Sequence, residues 1–182
     1  MCAHSSSAND VIEKIAKKLY PFIAEQFIEL REYNKIYNPC SSASLLYEIV
    51  QNLKHEFESL SNYETKLVFP AVQSVFDTKD NPDFNPSVNI DELQKLTQKK
   101  ETLIKELVED LQLEAETLNL KKGHPIYSII YVFNQSFFVE KAQWNKMLLS
   151  WNKGCACFSK ANNAAAKESN GLSASTHLHG TR

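Results

Sequence analysis

The sequence predicts an all-α protein, folded as an antiparallel up-and-down four-helix bundle, and three observations carry that expectation. Apolar residues recur at helical spacing in four long blocks. Short breaks built from proline, asparagine, serine and glycine separate the blocks. Glycine is scarce, with four in 182 residues, which argues against a hairpin-rich β fold.

The first helix is expected over about 9–33, with Ile12, Ile15, Leu19, Ile23, Phe27 and Leu30 on one face. Asn9 or Asp10 suits its N-cap, and Pro21 inside it predicts a kink. Asn38-Pro39 and the following serines then end one helix and offer the next a cap. The second helix, about 42–76, carries Leu46, Ile49, Leu53, Phe57, Leu60, Leu67 or Val68, and Pro70 should bend it near its end. After a proline-containing loop over 77–87, a third helix at about 89–118 opens with Asn89 and Glu92 in capping-box spacing. Its leucines, Leu93, Leu96, Leu103, Leu107 and Leu111, predict the inward stripe, which puts Lys100 inward with them.

In "KKGHP", Gly123 suits a C-cap and Pro125 a first helical turn, with His124 capping the fourth helix, about 125–152. That helix carries Ile126, Ile130, Phe133, Phe137, Trp144 and Leu148, which brings Lys141 to the seam. Residues 1–8 and 159–182, poor in large apolar side chains, are expected to be disordered around a single domain spanning 9–158. Tyr127, Tyr131 and Phe138 exceed what one seam needs and are candidates for a partner or dimer surface.

Several function classes are excluded. A net charge of −2 gives no basic excess for nucleic acid. No run of eighteen apolar residues spans a membrane, and the N-terminus lacks the pattern of a secretory signal. Four cysteines (Cys2, Cys40, Cys155, Cys157) form no paired framework, so the expected compartment is the cytoplasm. There is no phosphate-cradling loop, no GxSxG elbow and no HExxH, and no catalytic residue is assigned.

What remains is a carboxylate in the wrong place. In "SNYETKLVFPAV" (61–72), Glu64 falls one turn after Leu60 on an apolar face, where an ionised carboxylate needs a partner. The Glu64 to Pro70 segment resembles the Glu-x-x-x-(Leu/Ile)-Phe-Pro signature of hemerythrin-like domains, in particular the di-iron proteins of iron–sulfur cluster repair. Residues 15–31, 91–111 and 137–151 are similar to that family's remaining helices, so the resemblance spans about 11–152. It implies a bundle whose helices converge on two irons, with the position of Glu64 as a bridging ligand. Carried over residue by residue, the histidine positions fall on Tyr20, Leu60, Lys100 (Lys99 in a shifted register) and Lys141, and the last glutamate on Asn145. Only Glu64 keeps a ligand type. His55 lies off the inward face and His124 at a helix start.

The resemblance therefore implies a metal-free bundle in which Lys100, with Lys141 as the alternative, neutralises Glu64 while Tyr20 donates to it. Such a protein is expected to act as a non-catalytic binding or regulatory module, with an unknown protein partner or self-association and no cofactor. Two alternatives stand beside it. One is an atypical iron site handling oxygen or nitric oxide through Glu64, Tyr20 and carboxylates such as Glu58 or Glu140. The other is an unrelated helical partner-binding bundle.

Overall fold

The computed structural model describes residues 4–37, 44–77 and 90–149. Among them every long segment is helical, and no strand occurs. Four helices result: α1 over 4–37, α2 over 45–77, α3 over Ile90–Thr117 and α4 over 125–149. Two compact units divide the chain, Met1–Ala142 and a second beginning at Gln143. The account of packing that follows concerns the first. The expected 159–182 tail, the Asn89 cap and all four cysteines lie outside the described residues.

α1 begins at His4, earlier than the expected start near residue 9, and residues 4–8 are helical where disorder was expected. The serines there give no helical signal, but the added turn brings Ala8 into full burial. Ser44 caps α2, its side chain accepting from the Tyr47 N–H, slightly later than the expected start at 42.

Both internal prolines are absorbed in the same way. The helix widens to π geometry over Lys14–Leu19 ahead of Pro21 and over Glu64–Val68 ahead of Pro70. In each case the residue just before the proline donates five residues back, Tyr20 to the Ile15 carbonyl and Phe69 to the Glu64 carbonyl. The wider turn makes room between the proline ring and the carbonyl four residues earlier, the clash that otherwise breaks a helix. α1 and α2 consequently run through their prolines. A third π turn, Phe133–Phe137, lies in α4 without a proline, Phe138 donating to the Phe133 carbonyl.

The turn between α3 and α4 is not capped where expected. Asn119, at a φ of 50°, takes the left-handed position; its N–H donates to Glu116 O and that of Leu120 to Ala115 O. That pair of bonds is a Schellman ending, with asparagine in the role expected of Gly123. A side chain at Gly123 would meet nothing within 4 Å. His124 does cap α4, its Nδ1 accepting from the Ile126 N–H ahead of Pro125. The ring also lies edge-on to Tyr33 at 4.8 Å, and burial holds its pKa below the ordinary 6.5. Folding thus disfavours the imidazolium, so stability is full above 6.5 and falls as pH drops below it. His124→Asn is expected to keep the cap and flatten this acid limb in urea titrations at pH 5 and 7, whereas His124→Ala should lose about 1 kcal/mol at pH 7 and less at pH 5, where the wild type has itself lost stability.

The core is laid down on α1 by Ile12, Ile15, Leu19, Ile23, Phe27 and Leu30, all buried as their spacing predicts. Phe57 of α2 meets Tyr20 edge-on at 5.6 Å and Phe133 at 5.8 Å, and Phe133 meets Phe137 at 5.2 Å. Edge-to-face pairs of this kind each add about 0.5–1.5 kcal/mol beyond their buried area. The aromatic lattice ties α1, α2 and α4 together just beside Glu64.

α3 turns a different face inward from the one its leucines predict. Its inward stripe is Gln94, Thr97, Glu101, Ile104, Val108, Leu111 and Ala115, in unbroken three-four spacing, while Leu96 and Leu103 are exposed. The leucines at 93, 96, 103 and 107 keep the same spacing one residue earlier, about 100° round the helix, while Leu111 falls on the observed stripe as expected. Ile104, Val108 and Ala115 fit only the observed register. On α4, Tyr131 is exposed as expected of a surface aromatic, whereas Tyr127 and Phe138 are half-buried, with Phe138 against Phe133 and Phe137.

Candidate functional site

Among the described residues of the first unit Glu64 is the most deeply buried charged one, with no solvent exposure. The face of α2 dictates this: Leu53, Phe57, Leu60, Glu64 and Val68 follow one another at helical spacing, and the flanking members are all buried. On α4 the series Phe133, Phe137, Lys141 does the same, leaving Lys141 1 % exposed. The two side chains meet: Lys141 Nζ donates to Glu64 Oε1, and the Tyr20 hydroxyl donates to Glu64 Oε2. Both carboxylate oxygens are thus engaged. From α3, Glu101 Oε1 stands 3.0 Å from the same Nζ, with its side chain 14 % exposed.

The result is a four-residue charge centre, Tyr20, Glu64, Lys141 and Glu101, with one member from each helix. One ammonium faces two carboxylates, so with both ionised the centre carries excess negative charge. Burial, reinforced by the Glu64 and Glu101 charges and the hydrogen bond to Glu64, pushes the Tyr20 hydroxyl well above its ordinary pKa of 10.0. Tyr20 is therefore a neutral donor throughout the physiological range. Below Glu101 on the same face of α3, Gln94 Nε2 and Thr97 Oγ1 are buried without a hydrogen-bond partner among the described residues.

Of the positions singled out in the sequence, Tyr20, Glu64 and Lys141 come together, and Leu60 is fully buried on the same stripe as Glu64. Lys100 does not join them. It donates to Ser59 Oγ at 2.9 Å and lies 3.7 Å from Glu56 on the flank of α2. The one-residue rotation of α3 removes Lys100 from the interior and delivers Glu101 instead. A Glu64–Lys100 pair is accordingly corrected to Glu64–Lys141. Lys100→Met is expected to change stability by at most about 1 kcal/mol, as for other partly exposed pairs, when measured by urea unfolding. Glu58 and Glu140 are not at the centre either, pairing with Lys54 at 3.7 Å and Lys14 at 2.6 Å. Asn145 belongs to the second unit and is half-buried.

Glu101 is the residue the sequence did not single out. Its signal was the Ile104, Val108, Ala115 register, which only Glu101 shares among the acidic residues near the middle of α3.

Chemically, the centre suits charge neutralisation rather than metal ligation. A cation between Glu64 and Glu101 would have to displace the Lys141 ammonium or sit against it. Among the described residues, no group of three or more His, Cys, Asp or Glu side chains is arranged to hold a metal ion. The donors that are present, two carboxylates and a protonated phenol around an ammonium, do not fit a di-iron site, which needs several imidazoles and carboxylates converging.

Comparisons with family models, with curated proteins and with solved structures return no match to this chain.

Proposed function

We propose that this protein is a hemerythrin-like bundle, antiparallel and up-and-down, in which an internal ammonium has taken the place of the metal charge, and that it works as a non-catalytic binding or regulatory module. The observation that carries this reading is the seating of Lys141 on Glu64. Two positions at which the resemblance implies metal ligands now satisfy one another, with Tyr20, a third, donating to the same carboxylate. A family relic in which the ligands had merely drifted would not be expected to rebuild complementary charge in the same spot.

Support for the antiparallel arrangement comes from pairs that run in opposite directions along neighbouring helices. Asn9 accepts from Gln73 while Tyr20 meets Glu64; Lys14 meets Glu140 while Gln26 accepts from Ser128. No helix among the described residues is long and apolar enough to cross a membrane. A cytoplasmic location and an unidentified protein partner belong to the same proposal.

Elemental analysis by mass spectrometry on untagged protein from iron-replete cells, with a visible spectrum alongside, tests it. The expected result is a colourless folded protein with iron far below one equivalent. Near-stoichiometric iron, or a ligand-to-iron charge-transfer band, would overturn the replacement of metal by Lys141.

A further inference from the structure

At the end of the first unit away from the charge centre, α1, α2, the turn after α3 and the start of α4 leave a cleft of about 740 Å³ that shares no residue with that centre. Its volume is within the range of small-molecule sites, on the order of 300–1,000 Å³. The floor is apolar and fixed: Phe27, Leu30, Val50 and Ile126 line it, and each is at least nine-tenths buried within the core. Ile28, Tyr47 and Leu118 form walls that stay exposed, at 51 %, 40 % and 48 %. Three large apolar side chains left open round one concavity gain contact and lose water when something apolar fills it.

The polar lining has one sign. Arg31, Lys35 and Lys54 are on it, and no aspartate or glutamate is among its described residues. Arg31 and Lys35 share Glu32, at 3.2 Å and 2.9 Å, and Lys54 faces Glu58 at 3.7 Å. All three pairs are between exposed side chains and hold their cations weakly. A ligand anion seated in the cleft competes with them at little cost. His124, whose Nδ1 is committed to the Ile126 N–H, completes the lining without adding a negative charge.

From the apolar floor, the open apolar walls and a rim whose charged members among the described residues are all cations, we infer that this cleft binds an amphipathic monoanion, a free long-chain carboxylate whose chain lies on Phe27, Leu30 and Val50 and whose head meets Arg31, Lys35 and Lys54. The inference rests on reading the bundle as a binding module, and not on the Tyr20–Glu64–Lys141–Glu101 centre.

The test is calorimetric titration of the delipidated full chain with palmitate, cetyl alcohol and butyrate, each below its aggregation limit. Saturable one-to-one binding of palmitate is expected, with butyrate silent for want of a chain and cetyl alcohol at least about tenfold weaker for want of a charge. Lys54→Glu with Arg31→Glu should weaken palmitate about tenfold, and Leu118→Asp, at an exposed wall, should weaken it separately. Circular dichroism and urea midpoints establish that these surface variants still fold.

Absence of saturable binding would overturn the inference, as would equal affinity for palmitate and cetyl alcohol or indifference to the charge reversals. Binding seen only on phosphatidylglycerol vesicles would reassign the cleft to a lipid surface. A dimer in sedimentation that Leu118→Asp dissociates would assign it to a second copy of the chain. Failure here with an iron-free protein leaves the charge-centre reading intact, while palmitate binding by an iron-loaded protein would overturn that reading alone.

Discussion

Lys141→Met is expected to destabilise the protein by about 3–5 kcal/mol, the largest effect of any single polar substitution in the first unit. The substitution keeps the bulk of the side chain, so little of the loss comes from packing. What it removes is the ammonium that faces both Glu64, which has no access to water, and Glu101, which has little. A carboxylate left in that position, with Tyr20 as a neutral donor, must either remain ionised without a counter-charge or take up a proton, and each choice disfavours the folded state. The same physics predicts a rescue. Glu64→Gln together with Lys141→Met removes both charges while leaving an amide oxygen to accept from Tyr20. Glu101, whose side chain is 14 % exposed, keeps access to solvent. The double variant should therefore recover a large part of the loss, with a coupling energy on the order of 1–3 kcal/mol in a urea-denaturation cycle. Simple additivity of the two single losses would show that no such pair holds the core together. Lys100→Met serves as the comparison in the same series, because its small expected effect separates the observed register of α3 from the leucine-led one.

How far the sequence reaches is shown well by those two lysines. Helical spacing suffices for α1 and α4, where the large apolar residues in unbroken three-four spacing are the ones that are buried. It suffices for Glu64 too, since Leu60 and Val68 fix the face on either side. α3 is different because its leucines are spread around the helix, and those at 93, 96 and 103 keep the three-four rhythm without being the core. Hydrophobicity alone weights Leu96 and Leu103 above Thr97 and Gln94, whereas the bundle interior accepts those polar side chains in the two turns before Glu101. A polar centre thus hides its own helix register: the residues that belong beside Glu64 are the ones an apolar pattern passes over. Local chemistry imposes a second limit. A proline in a helix announces disruption but not its remedy, and the π turns before Pro21 and Pro70 depend on bonds five residues back that no residue-type preference encodes. The first of those wide turns ends just before Tyr20 and the second begins at Glu64, so the remedy for each proline lies beside a member of the charge centre.

Alkaline pH should weaken the fold through Tyr20, and Tyr20→Phe should abolish that part of the dependence. The folded state holds the phenol proton well above pH 10.0, because burial and the neighbouring carboxylates both oppose a phenolate. The unfolded chain releases that proton near 10. Above this value the folded state therefore binds more protons than the unfolded one, and stability falls as pH rises. Stability contributed in this way is complete below pH 10 and is lost between 10 and the folded pKa, at about 1.4 kcal/mol per pH unit. At neutral pH, Tyr20→Phe should cost about 1.5–3 kcal/mol, the worth of a hydrogen bond to a charged acceptor. Above pH 10 the gap between wild type and variant should narrow, since the wild type alone loses stability by this route. Tyr63 is shifted in the same direction, chiefly by burial, so the comparison is best made in a Tyr63→Phe background. Phenolate absorbance supplies the independent readout: in folded protein Tyr20 should stay silent until the chain unfolds, and its release should coincide with loss of helical signal. If Tyr20 ionises near pH 10 while the helices remain intact, the buried Tyr20–Glu64 contact does not exist in solution. A gap between variant and wild type that stays constant across the alkaline range would count against the contact in the same way.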